Sequence, residues 1–369
     1  MSLDLFRGVT IAAMILVNDA GDGPSAYWPL HHAVWNGWTP TDLVFPFFLF
    51  IVGVSMAFSF GSRLSRGESR ALLLKHVLWR GLILFALGMF LNGFPNHYGL
   101  ATWRVYGVLQ RIAICYVITA VLELWTGWRT QFAVAVACLA GYWLLLRYVP
   151  VPGFGVPTHD IPLLDPDRNV VAWLDRKLLM GHLYEGTRDP EGVLSNIPAV
   201  ATCLLGLLTG KWMKTDNSPR IRTTTMVVAG VIAIALGRIM HLWFPINKKM
   251  WTSSFVIFTA GLALLFLAAF YWVSDVKKHR GLWTRPILVF GTNAIAAYFF
   301  SEALAATLSS ISLRFSTGGV VSVQDYLYSR LFAPFASPPN ASLFYALAYV
   351  AVCWAVMARL YRSGIAIKV

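Results

Sequence analysis

Ten long apolar stretches separated by polar breaks dominate the chain, at 5–18, 42–60, 74–92, 105–125, 130–149, 193–212, 223–244, 252–273, 286–310 and 341–360. A bilayer core needs roughly 20 consecutive apolar residues in a helix, and most of the stretches approach that length. The first is short and spans only where flanking groups snorkel or the membrane thins. None alternates apolar with polar, as a barrel strand must. The pattern predicts an all-α fold: a polytopic transmembrane helical bundle of about ten spans, forming one domain over 1–369. No internal repeat and no clearly broken span is visible, and both would be expected of many transporters.

Composition agrees with this reading. The 369 residues are 57% hydrophobic and 13% charged, against roughly 25% charged in soluble domains. The net charge of +13 would suit nucleic acid in a soluble protein. Here the cations fall in alternate loops, which instead fixes orientation by the positive-inside rule. Arg63, Arg66, Arg70 and Lys75 follow the second stretch, and Lys211, Lys214, Arg220 and Arg222 the sixth. Lys277, Lys278, Arg280 and Arg285 follow the eighth, and Arg359, Arg362 and Lys368 close the chain. Both termini are thus expected in the cytoplasm, with no nucleic-acid partner, in a multi-pass protein of the inner (cytoplasmic) membrane. Residues 19–41 contain no Lys or Arg and belong on the outer side.

The long polar loop 150–192 also lies outside. It contains an amphipathic piece, Val170–Met180, and Trp143, Trp173 and Tyr184 favour an ordered cap on the membrane face. The apolar run after Arg7 resembles a leader, but Asp4 precedes it, and it is read as a retained first helix. Cys115, Cys138, Cys203 and Cys353 lie in apolar runs without metal-like spacing, so they are expected to pack helices and to bind no metal. Gly206 and Gly210 form a GxxxG spacing, which serves helix packing first and a homodimer face second.

Candidate chemistry gathers in 27–50, YWPLHHAVWNGWTPTDLVFPFFLF. An imidazole titrates near neutral pH, so it can take a proton or carry an acyl group. His31 and His32 are rivals for that role. Asn18, Trp35, Asn36 and Asp42 are close in sequence. An amide N–H can stabilise an oxyanion, and a carboxylate can orient an imidazole. Asp42 also suits a helix cap. Arg104 and Arg111 are seven residues apart, about two turns of helix, so they can share one face at an outer helix end. Each can also simply pair with a loop carboxylate. Asp189-Pro190-Glu191-Gly192 is either an acidic helix start or a carboxylate site for an amine or hydroxyl substrate. Asn247-Lys248-Lys249-Met250-Trp251-Thr252-Ser253 opens the eighth stretch. Asn293, Tyr298, Ser301 and Glu302 put polar groups inside the ninth, facing either a cavity or other helices. No phosphate loop, dinucleotide fingerprint or serine-hydrolase elbow is present.

Taken together these motifs resemble the heparan-α-glucosaminide N-acetyltransferase family. The resemblance is carried by Leu3-Asp4-Leu5-Phe6-Arg7-Gly8, Val17-Asn18, His32-Ala33-Val34-Trp35-Asn36-Gly37-Trp38-Thr39 and Asp42-Leu43-Val44-Phe45-Pro46. Gly107-Val108-Leu109-Gln110-Arg111, Asp189-Pro190-Glu191-Gly192, Asn247 to Thr252 and Gly281-Leu282-Trp283 continue it in order along nearly the whole chain. The chain looks like a bacterial member with no large luminal domain ahead of Leu3. It departs from the family at Asp19-Ala20-Gly21-Asp22-Gly23-Pro24-Ser25, which is longer and acidic.

The resemblance implies a transmembrane acyltransferase that takes acetyl-CoA from the cytoplasm and acetylates a glucosamine-type amine on the far side. It implies His32, rather than His31, as the active-site histidine, and Asn18 as the active-site asparagine. Asp42 or Glu191 would then orient His32 or the amine. Trp35, Asn36, Arg104 and Arg111 would contact the glucosamine-bearing glycan. Arg7 and Arg80 would attract the CoA phosphates, and Asn293 would line the path of the pantetheine arm. Two other outcomes stay open: O-acetylation of a surface glycan, and sugar or amino-sugar transport with His32 as a proton relay.

Overall fold

The computed structural model describes residues 1–314 and 320–367; Lys368, one of the cations used to orient the chain, lies outside them. The apolar stretches become α1 (Ser2–Asn18), α2 (Val44–Ser65), α3 (Arg70–Gly93), α4 (Val108–Trp125) and α5 (Trp128–Tyr148). After the long loop and its short α6 (Val170–Leu178) come α7 (Asn196–Met213), α8 (Pro219–Met240) and α9 (Ser253–Phe270). The ninth stretch divides into α10 (Thr284–Thr292) and α11 (Ala294–Ser310), and the chain ends with α12 (Val323–Leu331) and α13 (Pro338–Arg362). A two-stranded antiparallel ribbon, Ser312–Arg314 with Val320–Ser322, joins α11 to α12. Helix starts follow local chemistry. The Ser69 and Ser218 hydroxyls accept from the backbone N–H of Leu72 (3.2 Å) and Ile221 (3.3 Å), satisfying donors that a helix leaves open.

Among the described residues, seven helices are long and apolar enough to cross a membrane. The pair α10–α11 makes eight if it counts as one span. The protein is therefore a multi-pass helical membrane protein. α1, with 17 residues, and the polar-flecked α7 fall outside that set, although both are helices where expected. α7 is the central one: it packs against α2, α4, α5 and α9. A Cβ on Gly206 would collide with the Phe50 carbonyl, and one on Gly53 with that of Cys203, so glycine is what lets α2 and α7 touch. The GxxxG spacing is thus used inside the bundle, where the Gly210 position meets Val54 and Ala57.

The unbroken ninth stretch is a correction. α10 and α11 are bent by 80° at Asn293. The Asn293 side chain bonds the backbone of the C-terminal segment, donating to Ile365 O (3.1 Å) and accepting from Ile367 N–H (2.8 Å). These two bonds tie the break to a segment 72 and 74 residues away. A second correction concerns Arg104. The helix begins at Val108, so Arg104 sits in the preceding loop and does not share a helix face with Arg111.

The loop 150–192 is an ordered cap, as Trp143, Trp173 and Tyr184 suggested. Val151, Ile161, Leu164, Val170 and Val171 bury against Tyr142, Phe244 and Met250, with Trp35, Trp143 and Trp173 at the edge. Asn169 caps α6 through Ala172 N–H (2.8 Å), and Asp175 accepts from Val193 N–H (2.9 Å) to tie the loop to the start of α7.

Candidate active site

The turn before α2 builds the centre of the site. Residues Pro40–Leu43 form a single tight helical turn, and Asp42 is buried within it at 1% exposure. Its Oδ2 accepts from the backbone N–H of Thr39 (3.0 Å) and Ala33 (3.1 Å). Its Oδ1 is 2.7 Å from His32 Nδ1. The carboxylate therefore caps the turn and holds the imidazole at once. With Nδ1–H donated to Asp42, Nε2 is left as the acceptor that a general base needs. His31, the rival, is directed elsewhere: its Nε2 is 2.7 Å from the Ala26 carbonyl.

Lys248 completes this cluster, and sequence reasoning placed it only in a polar helix opening. Its Nζ is 3.1 Å from His32 Nδ1, 3.2 Å from Nε2 and 3.8 Å from Asp42 Oδ1. Near-equal distances to both ring nitrogens put the ammonium against the ring rather than along one lone pair. Burial pushes the Lys248 amine below its ordinary range, opposed by the charges of Asp42 and Glu191. The motif 247–252 was the available signal, but residue 248 reaches residue 32 only through the tertiary fold.

These groups open onto a cavity of about 800 Å³. Asn18, His32, Trp35, Asp42, Arg104 and Glu191 all line it, so the fold brings six of the sequence candidates together. Asn18 Nδ2 donates to Glu302 Oε1 (3.0 Å), which leaves its second amide hydrogen for another acceptor. Arg104 grips Asp189 through two bonds (2.8 and 2.7 Å), donates to Glu191 (2.7 Å) and lies over the Tyr184 ring. Burial would raise the Glu191 carboxyl, but Arg104, Arg111 and Lys248 hold it below the usual range. Trp35 is fixed from outside: its indole donates to Leu164 O (2.8 Å) and Arg188 stacks on it.

Asn36 and Arg111 are not on the cavity wall. Asn36 accepts from Asn247 (3.2 Å). Arg111 is fully buried, bonding Pro190 O (3.0 Å) and the Ser195 hydroxyl and lying over Trp251. Arg111 thus braces the Pro190–Ser195 segment behind Glu191, while Asn36 is exposed and tied to the residue before Lys248.

A second cavity of about 290 Å³ lies toward the opposite end of the bundle, where the basic loops are. Arg7 and Arg80 line it together, with Ser55, Ser59 and Thr292. Arg7 is held by Asp4 (3.0 Å), Gly291 O (3.1 Å) and Ser55 (2.8 Å), and Arg80 lies over the Tyr116 ring. Asn293 is adjacent in sequence but turned to the C-terminal segment, as described above.

Between the cavities is an apolar neck of about 10 Å³. It shares Met14, Val108, Leu109 and Tyr298 with the outer cavity and Phe48, Ile112 and Ile295 with the inner one. That volume admits about one water at most, so the two chambers are nearly sealed from one another.

Comparison with known proteins gives these chambers a context. Residues 1–246 match the family model described as "Heparan-alpha-glucosaminide N-acetyltransferase, catalytic". Heparan-alpha-glucosaminide N-acetyltransferase of Homo sapiens is 32% identical over 361 residues, covering 82% of this chain and 52% of the human protein. The Mus musculus protein of the same name is 33% identical over 361 residues, covering 82% of this chain and 53% of its own length. The chain thus spans about half the length of the curated relatives it matches.

Proposed function

The chain belongs to the heparan-alpha-glucosaminide N-acetyltransferase family, and from that premise we propose that it is a transmembrane N-acetyltransferase. It moves an acetyl group from cytoplasmic acetyl-CoA to the amine of a glucosamine-type sugar on the outer side of the inner membrane. The observation that carries this reading is the pair of chambers joined by the Met14–Ile295 neck: cations at one end, a His32–Asp42 pair at the other. In this reading all ten helical stretches cross the membrane as one domain, with both termini cytoplasmic.

The chemistry follows from the two ends. CoA phosphates are polyanionic and sit with Arg7 and Arg80. The uncharged pantetheine arm is the part that can occupy an apolar neck, once side chains such as the flexible Met14 move aside. The thioester then reaches the outer chamber. There His32 Nε2 takes a proton from the attacking amine nitrogen as the C–N bond forms at the acetyl carbon. The free amide hydrogen of Asn18 meets the oxyanion. Collapse breaks the C–S bond, the proton held by His32 passes to the leaving sulfur, and CoA returns to the inner chamber. Asp42 keeps the ring in the correct tautomer throughout. A two-step route, in which His32 carries the acetyl group first, uses the same atoms.

The test is acetyl transfer by the purified full chain. Labelled acetyl-CoA and glucosamine should yield labelled N-acetylglucosamine and free CoA. Labelled protein formed without acceptor would select the two-step route. Equal transfer to N-acetylglucosamine, which has no free amine, would favour O-acetylation. The 80° break between α10 and α11 is the one feature that suits a transporter. Uptake of glucosamine by proteoliposomes without acetyl-CoA would overturn the enzyme reading.

A further inference from the structure

Each charged group on the outer chamber wall can be assigned a partner, with two exceptions. Arg104 is matched by Asp189 and Glu191, Lys249 by Glu185 (2.9 Å), and Lys248 lies against His32 and Asp42. Among the five lining carboxylates, Asp42, Glu185 and Glu191 therefore have cationic or imidazole partners. Glu302 has only the neutral amide of Asn18. Among the described residues Asp19 finds no side-chain hydrogen bond, although it is only 7% exposed, and its Oδ2 is buried without a partner. Both residues line the chamber on either side of Asn18, one at the end of α1 and the other on α11.

A buried, unpartnered carboxylate oxygen is costly unless something fills the place of its partner. Mutual repulsion adds to the cost. Burial and the charge of Glu302 push the Asp19 carboxyl up to about 8. The charge that bears on Asp19 is thus that of another carboxylate. Among the described residues, this part of the wall therefore holds two neighbouring carboxyl groups without a cationic partner.

We propose that Asp19 and Glu302 form a subsite for the primary ammonium of the acceptor, beside the Asn18 amide. This rests on the reading of the outer chamber as the acceptor site. It replaces Glu191, which Arg104 already occupies, as the amine-holding carboxylate. It also gives a purpose to the acidic segment that starts at Asp19.

The subsite completes the proton balance of the reaction. An ammonium nitrogen cannot attack until it loses a proton, and amide formation requires the loss of a second. The first passes from the ammonium to the Asp19–Glu302 pair, leaving a neutral amine. The second passes to His32 during attack and on to the departing sulfur. The carboxylate pair then releases its proton to the outer solution as the uncharged amide product leaves.

The test is equilibrium binding to the full chain in lipid nanodiscs, without acetyl transfer. Glucosamine should bind more tightly than glucose. Asp19→Asn and Glu302→Gln should each weaken glucosamine at least about tenfold and abolish the preference over glucose. Asp19→Glu should retain the preference. Acetyl-CoA affinity reports on folding, and if Asp19→Asn loses it, Glu302→Gln decides. Unchanged glucosamine affinity in the variants overturns the subsite. So does a wild type that does not discriminate glucosamine from glucose, or one in which Na⁺ binds at these carboxylates and glucosamine does not. A retained preference with no acceptor-dependent CoA release would sink the transfer reading and leave the subsite standing.

Discussion

The two chambers differ in how their charges are held. In the inner chamber Arg7 is braced by Asp4, the Gly291 carbonyl and Ser55, and with Arg80 it presents fixed positive charge. Its walls are mainly helices, and in the proposed reaction it would hold the polyanionic donor. The outer chamber is larger, and loops and helices share its lining about equally. Its Asp42 carboxylate and Lys248 amine both sit within hydrogen-bond reach of the His32 imidazole. Such contact is what proton transfer needs, whereas binding a phosphate needs only fixed charge. On the proposed function, the difference would separate recognition of the donor from chemistry on the acceptor, with the neck as the boundary.

The sharpest way to break the comparison is to remove the base from the outer chamber alone. His32→Ala should lower kcat for transfer to glucosamine by about a thousandfold and leave acetyl-CoA binding intact. His31→Ala, which loses only the Ala26 contact, should keep most of the rate. The reverse pattern in steady-state kinetics would place the chemistry on the wrong histidine.

The neck comes next. Ile295 borders both the neck and the inner chamber. Ile295→Trp should obstruct the pantetheine path and reduce transfer by about a hundredfold, since small displacements of the reacting carbonyl cost that much. Binding of CoA, measured by calorimetry, should change little, because its phosphates stay at Arg7 and Arg80. Full activity in this variant would mean that the chambers are not one path.

The two chambers also differ in how far they could be read from the sequence. All ten apolar stretches are helices, because a long lipid-compatible run has few other ways to satisfy its backbone. The His32–Asp42 pair was legible because ten residues and one turn separate its members. Lys248 was not, because it meets His32 across a separation of 216 residues. The break at Asn293 depends on Ile365 and Ile367, 72 and 74 residues away. Its local trace is the polar Thr292-Asn293 step, which suits a straight helix facing a cavity equally well. Asp19 looked like a disruption of a familiar motif, and only its burial beside Glu302 gives it a chemical role.

Donor recognition offers a milder perturbation. Arg7→Gln removes one of the charges facing the CoA phosphates and loosens the contacts to Asp4 and Ser55. The KM for acetyl-CoA should rise about tenfold, which is the loss of roughly 1.4 kcal/mol. The KM for glucosamine should stay as it is. Equal effects on both substrates would show that the inner chamber does not act on the donor alone.

The last perturbation is read in stability rather than in rate, and concerns the acidity of the outer chamber. In the folded protein Asp19 titrates at about 8, against an ordinary 3.8. Between those values the folded state binds a proton that the unfolded state has lost, so stability must fall as pH rises. The slope should begin near the ordinary carboxylate range and level off above about 8. Asp19→Asn removes the titrating group. The difference between wild-type and Asp19→Asn melting temperatures, taken at one scan rate, should therefore shift against the wild type from pH 5 to pH 8. Glu302→Gln removes the neighbouring charge and should make that slope shallower without abolishing it, because burial is the larger cause. Parallel wild-type and Asp19→Asn curves would mean that Asp19 ionises as freely in the folded chain as in the unfolded one. The outer chamber would then have no unmatched carboxylate waiting for a cation.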